Sequence, residues 1–297
     1  MPATSVPVDP ELLATLEGLE LRARYIVDGY LSGMHRSPYR GYSAEFAEYR
    51  GYTPGDDIRY VDWKVFGKTD KVYLKQFEAE TNLVCYLLLD VSDSMNYQSN
   101  PIALSKRAYC QALAIALAHI VLRQQDSVSL TTFDHMIRDL VPGSGNPTQL
   151  QRLVQVLEHT TGRHRSSIGD VLHELAQRLP RPGVVVLLSD LLDDPNTTLA
   201  GLKHLRHVGH ELIVVHLLDP EEVLFRFDGP TTLRGLESQP EVRIEPRAIR
   251  QAYLAELRTL LEILEAGCRA MQADYHLLRT DHPLDVGLKR ILSWKRK

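Results

Sequence analysis

The chain is expected to fold as an α/β protein on a doubly wound, mostly parallel sheet. A smaller N-terminal part, one helix plus an aromatic β-rich segment, should precede it. Three apolar runs carry the argument: Leu83-Val-Cys-Tyr-Leu-Leu-Leu-Asp90, Gly183-Val-Val-Val-Leu-Leu-Ser-Asp190 and Glu211-Leu-Ile-Val-Val-His-Leu-Leu-Asp219. Each is too short for a helix and each ends in an acid. Apolar character without alternation marks strands buried on both faces. Segments with apolar residues three and four apart lie between them, and such alternation implies parallel strands with right-handed crossovers.

The totals agree with this. A length of 297 residues admits one large domain or two ordinary ones, and 44% hydrophobic with 24% charged residues describes a globular chain with a sizeable core. The net charge of -4, with both signs mixed, argues against nucleic acid or an anionic membrane as main partner. Cys85, Cys110 and Cys268 are far apart and set in apolar segments, without disulfide or zinc spacing, so a reducing cytoplasm fits. The N-terminus carries acids and no apolar core, unlike a signal peptide. Ala112 to Leu122 is short and interrupted by His119, as in a buried helix and unlike a membrane span.

In chain order, Asp9-Pro10-Glu11 is a helix start, and Leu12, Leu16, Leu19, Ala23, Ile26 and Tyr30 form a stripe that should end near Gly33. From Met34 to Glu80, aromatic residues alternate with charges, eight basic and eight acidic. Interleaving of this kind can mean single-stranded nucleic acid, but the balanced charge favours a small β-rich subdomain tied by ion pairs. Val72 to Phe77 reads as a strand. The expected division is therefore 1–80 and 81–297, with an insertion at about 221–246.

Within the second part, Asn100-Pro101 should start a helix running to Leu122. Ser127 to Phe133 is a strand, Met136 to Val141 a short antiparallel partner, and Pro142 to Pro147 a loop. Leu150, Leu153, Val154 and Leu157 form one helix face; Val171, Leu172, Leu175 and Leu179 form another. A long helix follows the insertion, with Ile249, Tyr253, Leu257, Leu260, Leu261, Leu264, Cys268 and Met271 on one side, then an edge strand Asp274–Arg279 and a last helix from Pro283.

The chemistry concentrates after the first buried strand. Asp90, Ser92 and Ser94 offer three oxygen donors within five residues, at the strand end where an open α/β sheet places its ligands. Oxygen donors suit a hard divalent cation. The alternative is that the three merely cap the following helix.

The pattern Asp90-x-Ser92-x-Ser94 resembles the metal-ion-dependent adhesion site of von Willebrand factor A domains, whose fold is a doubly wound sheet. The resemblance implies a later hydroxyl ligand and an aspartate at the end of the fourth strand. Asp190 matches the aspartate. Ser166 stands for a threonine of the family pattern, which keeps the hydroxyl and loses the methyl, and Ser167 is a neighbouring candidate. The implied cofactor is Mg²⁺ or Mn²⁺ held by Asp90, Ser92, Ser94, Ser166 and Asp190, with one position open to an acidic group from a partner protein.

A second resemblance covers nearly the whole chain. Glu45 to Trp63, including Arg50-Gly-Tyr-Thr-Pro54-Gly55-Asp56-Asp57, together with Lys68 to Tyr73, Phe77 to Asn82 and Leu188-Ser-Asp190-Leu-Leu-Asp-Asp194, is similar to the signature of the domain-of-unknown-function fifty-eight family. That resemblance implies a cytoplasmic, non-catalytic adaptor acting with a MoxR-type AAA+ ATPase in assembly or maturation of other proteins.

Other motifs are weaker. Asp90-Val-Ser-Asp-Ser lacks the second aspartate of haloacid dehalogenase phosphatases, and neither Gly-x-Gly-x-x-Gly nor Walker A loops occur. His204, His207 and His210 sit at a helix end, where histidines favour the dipole more often than zinc. A metal-assisted hydrolase lacks a positioned general base, and a metal-free scaffold binding through the N-terminal segment is the third reading.

Overall fold

Strand and helix order follow the alternation read from the chain. The computed structural model describes residues 18–32, 46–51, 65, 67, 72–77, 83–160, 162, 166–227, 229, 231–233 and 242–293. Its elements are α1 (Leu19–Ser32), β1 (Phe46–Gly51), β2 (Tyr73–Phe77), β3 (Val84–Asp90), a 3-10 turn at Asp93–Asn96, α2 (Lys106–Arg123), β4 (Ser127–Phe133), β5 (Ile137–Ser144), α3 (Gln149–His159) and α4 (Ile168–Arg178). They continue with β6 (Val184–Ser189), α5 (Pro195–His207), β7 (Glu211–Leu218), α6 (Pro220–Leu224), β8 (Thr231–Leu233), β9 (Val242–Ile244), α7 (Pro246–Ala270), β10 (Asp274–Arg279) and α8 (Leu284–Leu292).

Six strands form one sheet in the order β10-β7-β6-β3-β4-β5. All neighbours are parallel except β4 and β5. Read from β3, the chain first adds strands on one side and then returns to add β6, β7 and β10 on the other. This is the doubly wound arrangement, with its switch point between β3 and β6.

Side chains alternate across a strand, and β3 uses both faces. Cys85, Leu87 and Leu89 join the core under α1, α2, α3 and α8. Val84, Tyr86 and Leu88 join the core under α4, α5 and α7. Continuous apolar strands are thus needed, since no strand face of β3, β6 or β7 meets water along most of its length.

Two compact units are distinguished, and the smaller is Arg36–Asn82. In it β1 and β2 pair antiparallel, with an irregularity between Phe46 and Glu48. Helix α1 goes with Leu83–Lys297, which differs from the division expected after residue 80. The reason is its stripe: Leu19, Ala23, Ile26 and Val27 are buried in the core shared with α2, a helix apolar nearly all round that needs cover on its far side. The expected helix start at Asp9 and the stripe residues Leu12 and Leu16 lie outside the described residues, as does most of Met34–Glu80.

Two further boundaries move. Helix α2 begins at Lys106 rather than Pro101, because Ser105 caps it by accepting from the Ala108 N–H at 3.2 Å. Strand β5 extends through Pro142 and Gly143, tolerated because it is the sheet edge. The expected insertion holds the short α6 and the antiparallel pair β8–β9. Among the described residues, no helix is long and apolar enough to cross a membrane.

Helices α4 and α5 pack at backbone contact through Gly169 and Gly201. A Cβ on Gly169 would stand 2.7 Å from the Thr197 carbonyl oxygen and 2.8 Å from its carbon. Backbone cannot yield as a side chain can, so overpacking should outweigh the gain in helix propensity. Gly169→Ala is expected to lower unfolding free energy by about 1–3 kcal/mol, read from the midpoint of urea denaturation.

Candidate functional site

Register assembles the centre. Leu89 lies beside Leu188 in the parallel pair β3–β6, so the next pair, Asp90 and Ser189, turns to the opposite face together. There the Ser189 hydroxyl donates to Asp90 Oδ2 at 2.6 Å and accepts from the Leu191 N–H at 3.0 Å. The pair sits at the switch point, at the C-terminal ends of both strands, where an open α/β sheet forms its crevice.

Three loops close on this point. In the first, the Ser92 N–H donates to Asp90 Oδ1 at 2.9 Å, and the Ser92 and Ser94 hydroxyls are 3.1 Å apart. The serines do not cap α2; Ser92 makes no capping bond even to the 3-10 turn that follows it. In the second loop, the Ser166 hydroxyl donates to Asp90 Oδ2 at 3.3 Å. In the third, Asp190 follows Ser189 and accepts from Lys106 Nζ at 2.8 Å and from the Leu192 N–H at 3.4 Å. Asp90, Ser92, Ser94 and Ser166 therefore form one hydrogen-bonded network, with the Asp190 carboxylate near enough to act on Asp90 by charge. Ser167 points elsewhere: its hydroxyl donates to Asp170 Oδ2 at 2.8 Å and its N–H to the Asp134 carbonyl at 3.2 Å.

Local sequence holds these loops. Gly162 lies so close to the Val91 carbonyl that any Cβ would collide with it, so glycine lets the backbone at that position meet the first loop. Asp193 Oδ2 accepts the Ile168 N–H at 3.0 Å, and Asp194 accepts the Asn196 N–H at 3.0 Å. The two acids that follow Asp190 thus cap α4 and α5. Between them and Asp190, Leu191 adopts φ +49° with its side chain buried. A left-handed leucine costs about 1–2 kcal/mol, so packing keeps this turn in place.

The electrostatics are lopsided. Asp90 is wholly buried, and its carboxyl is pushed up to about 7 by burial first and by nearby Asp190 second, against hydrogen bonds from Ser189 and Ser92. Burial acts on Asp190 in the same direction, but the Lys106 ammonium overcomes it and holds that carboxyl below the usual range. Lys106 Nζ lies 2.8 Å from Asp190 Oδ2 and 2.6 Å from Glu222 Oε1. Burial would lower the lysine; the two acids raise it. Glu222 is itself pushed up, because burial outweighs its share of the lysine. Asp190 is the acid that Lys106 serves.

Sequence reasoning missed Ser189, Lys106 and Glu222. The serine had a signal, a lone hydroxyl in an apolar strand one residue before the acid. Lys106 had a weaker one: it is the first residue of its helix, where the dipole disfavours a cation. Glu222 had none, since α6 is distant in sequence. The histidines do not gather: the Nδ1 atoms of His204 and His173 are 3.0 Å apart, His210 packs edge-on against Tyr86, and His207 is exposed.

Two carboxylates and three hydroxyls are the donor set of a hard cation, and among the described residues Asp90 Oδ1 accepts a single hydrogen bond, leaving a lone pair. The residues fit Mg²⁺ or Mn²⁺. Among the described residues, no group of three or more His, Cys, Asp or Glu is placed to hold a metal, so any such cation depends on hydroxyl donors.

Fold and site together define the class: a doubly wound α/β domain with an Asp-x-Ser-x-Ser loop at its switch point. The family described as "Protein of unknown function DUF58" matches residues 48–260, and the chain belongs to it. The uncharacterized proteins Rv1480 of Mycobacterium tuberculosis and Mb1516 of Mycobacterium bovis are each 26% identical over 296 residues, covering 97% of this chain and 91% of theirs. Similar solved structures include the conserved hypothetical protein BatB from Bacteroides thetaiotaomicron, at 12% identity and a TM-score of 0.46, covering 71% of this chain and 97% of that one. Another is the von Willebrand factor A domain of SpRpn10, at 10% identity and a TM-score of 0.42, covering 69% of this chain and 92% of that one.

Removing the Ser189 hydroxyl would leave the Leu191 N–H without its acceptor and Asp90 without its shortest donor. Ser189→Ala is expected to cost about 1–3 kcal/mol, measured by chemical denaturation in chelator, with little change in secondary structure by circular dichroism.

Proposed function

We propose that this protein is a non-catalytic, metal-dependent protein-interaction module. Asp90, Ser92, Ser94 and Ser166 would hold Mg²⁺ or Mn²⁺ with Asp190 beside them, and a carboxylate of an acidic client would complete the shell. The observation that supports this reading is the convergence of Asp90, Ser92, Ser94 and Ser166 on one hydrogen-bonded network beside the buried Asp190. Burial of Asp90 beside Asp190 supports it, because two acids in a dry crevice gain from a cation between loops that already face each other. The metal's contribution is positive charge and an open position for an anionic ligand. The protein's own residues orient the donors and exclude water around them.

The resemblance of the Glu45–Trp63 and Leu188–Asp194 segments motivates the further proposal of an adaptor role beside a MoxR-type AAA+ ATPase. The three free, buried cysteines suit a reducing cytoplasm.

Two measurements test this. Mg²⁺ or Mn²⁺ at about 100 times its dissociation constant contributes about 2.7 kcal/mol, a rise in Tm of about 5–10 °C for a domain of this size. Wild type is expected to show the rise and Asp90→Ala none; equal rises would remove the site. Capture of a MoxR-type ATPase from native extract should fall with chelator and with Ser92→Ala plus Ser94→Ala. Capture unchanged by both would sink the metal-dependent interaction.

A further inference from the structure

Lys106 stands in the centre without belonging to the donor set. Its side chain is fully shielded, and its ammonium bridges Asp190, at the end of β6, and Glu222, in α6 beyond β7. The ring of Tyr97 covers it, with the ammonium 5.8 Å from the ring centroid. A cation at the first position of a helix works against the dipole, and a buried ammonium is tolerated only when paired and hydrogen-bonded. Both conditions point to a lysine held there by the acids of the crevice. One oxygen of Asp190 is already committed to it.

We propose that Lys106 is a built-in cation that sets the affinity of the metal site. It claims the charge of Asp190 that an entering divalent ion would otherwise use, while Glu222 offsets part of its repulsion. The inference rests on the reading that Asp90 and its serines take a divalent cation. Its signature is a pair of opposite effects. Neutralising Glu222 leaves Lys106 less compensated, so an entering cation meets more positive charge and binds more weakly. Neutralising Lys106 frees Asp190 and removes the repulsion, so the cation binds more tightly. Unit charges acting across a buried cluster are worth at least about tenfold in each direction.

Mn²⁺ binding to the intact chain, measured by titration calorimetry, compares wild type, Glu222→Gln and Lys106→Met. Glu222→Gln should bind about tenfold more weakly and Lys106→Met about tenfold more tightly, with a larger rise in Tm on adding Mn²⁺ for the latter. Loss of packing alone would weaken both variants, so changes of the same sign overturn the proposal. The Glu222 side chain is 17% exposed, and Glu222→Gln decides the question alone if Lys106→Met does not fold: affinity equal to or above wild type overturns it. If wild type takes no Mn²⁺ and Lys106→Met does, the lysine has displaced the metal in this chain; the inference stands and the adhesion reading falls. If wild type binds and the variants bind as wild type does, the adhesion reading stands and the inference falls. Absence of binding in all three removes both.

Discussion

Two aspartates buried side by side at the ends of neighbouring central strands are the constraint around which this structure is organised. Asp90 and Asp190 are 0% and 1% exposed, and a carboxylate out of water costs several kcal/mol unless it is compensated. Every nearby element supplies part of that compensation. Asp90 receives donors from Ser189, Ser92 and Ser166, while Asp190 pairs with the Lys106 ammonium that Glu222 shares. The acids are handled differently, one by neutral donors and one by a cation. That difference is why one carboxyl is pushed up and the other held down.

The asymmetry has a topological origin. Asp90 is the last residue of a strand flanked on both sides, by β4 and β6, and its donors are the hydroxyl at the end of β6 and the serines of the adjoining loops. Asp190 follows the last residue of its strand and turns toward α2, where a long side chain rising from the helix start can meet it. The same helix start would repel Lys106 were the acids absent. Lysine, aspartate and glutamate therefore hold one another in place, and they join α2, β6 and α6 at the mouth of the crevice.

Much of this was legible in the chain. Strand β3 and its neighbours could be read as buried because their apolar runs are continuous, and a parallel sheet covered on both faces demands that. The acid at each strand end, and the hydroxyls at alternate positions after Asp90, were visible because a site of this kind interrupts hydrophobic continuity with polar residues that the core would otherwise exclude. Helix boundaries were less legible. Pro101 looked like a helix start, yet Ser105 supplies the cap, a choice between two good signals that only the path of the chain resolves. The place of α1 was also hidden, since an amphipathic stripe says that a helix is covered and not by what.

The sequence by itself determined the doubly wound class, the buried central strands and the oxygen-rich loop at Asp90, because these depend on local pattern and strand-end chemistry. Tertiary structure decided which of Ser166 and Ser167 faces Asp90, that Ser189 completes its hydrogen bonds, and that Lys106 reaches both Asp190 and Glu222. Those contacts join residues 76, 99, 84 and 116 positions apart. No local periodicity encodes such pairings; they follow from strand register and from where each crossover returns the chain to the sheet.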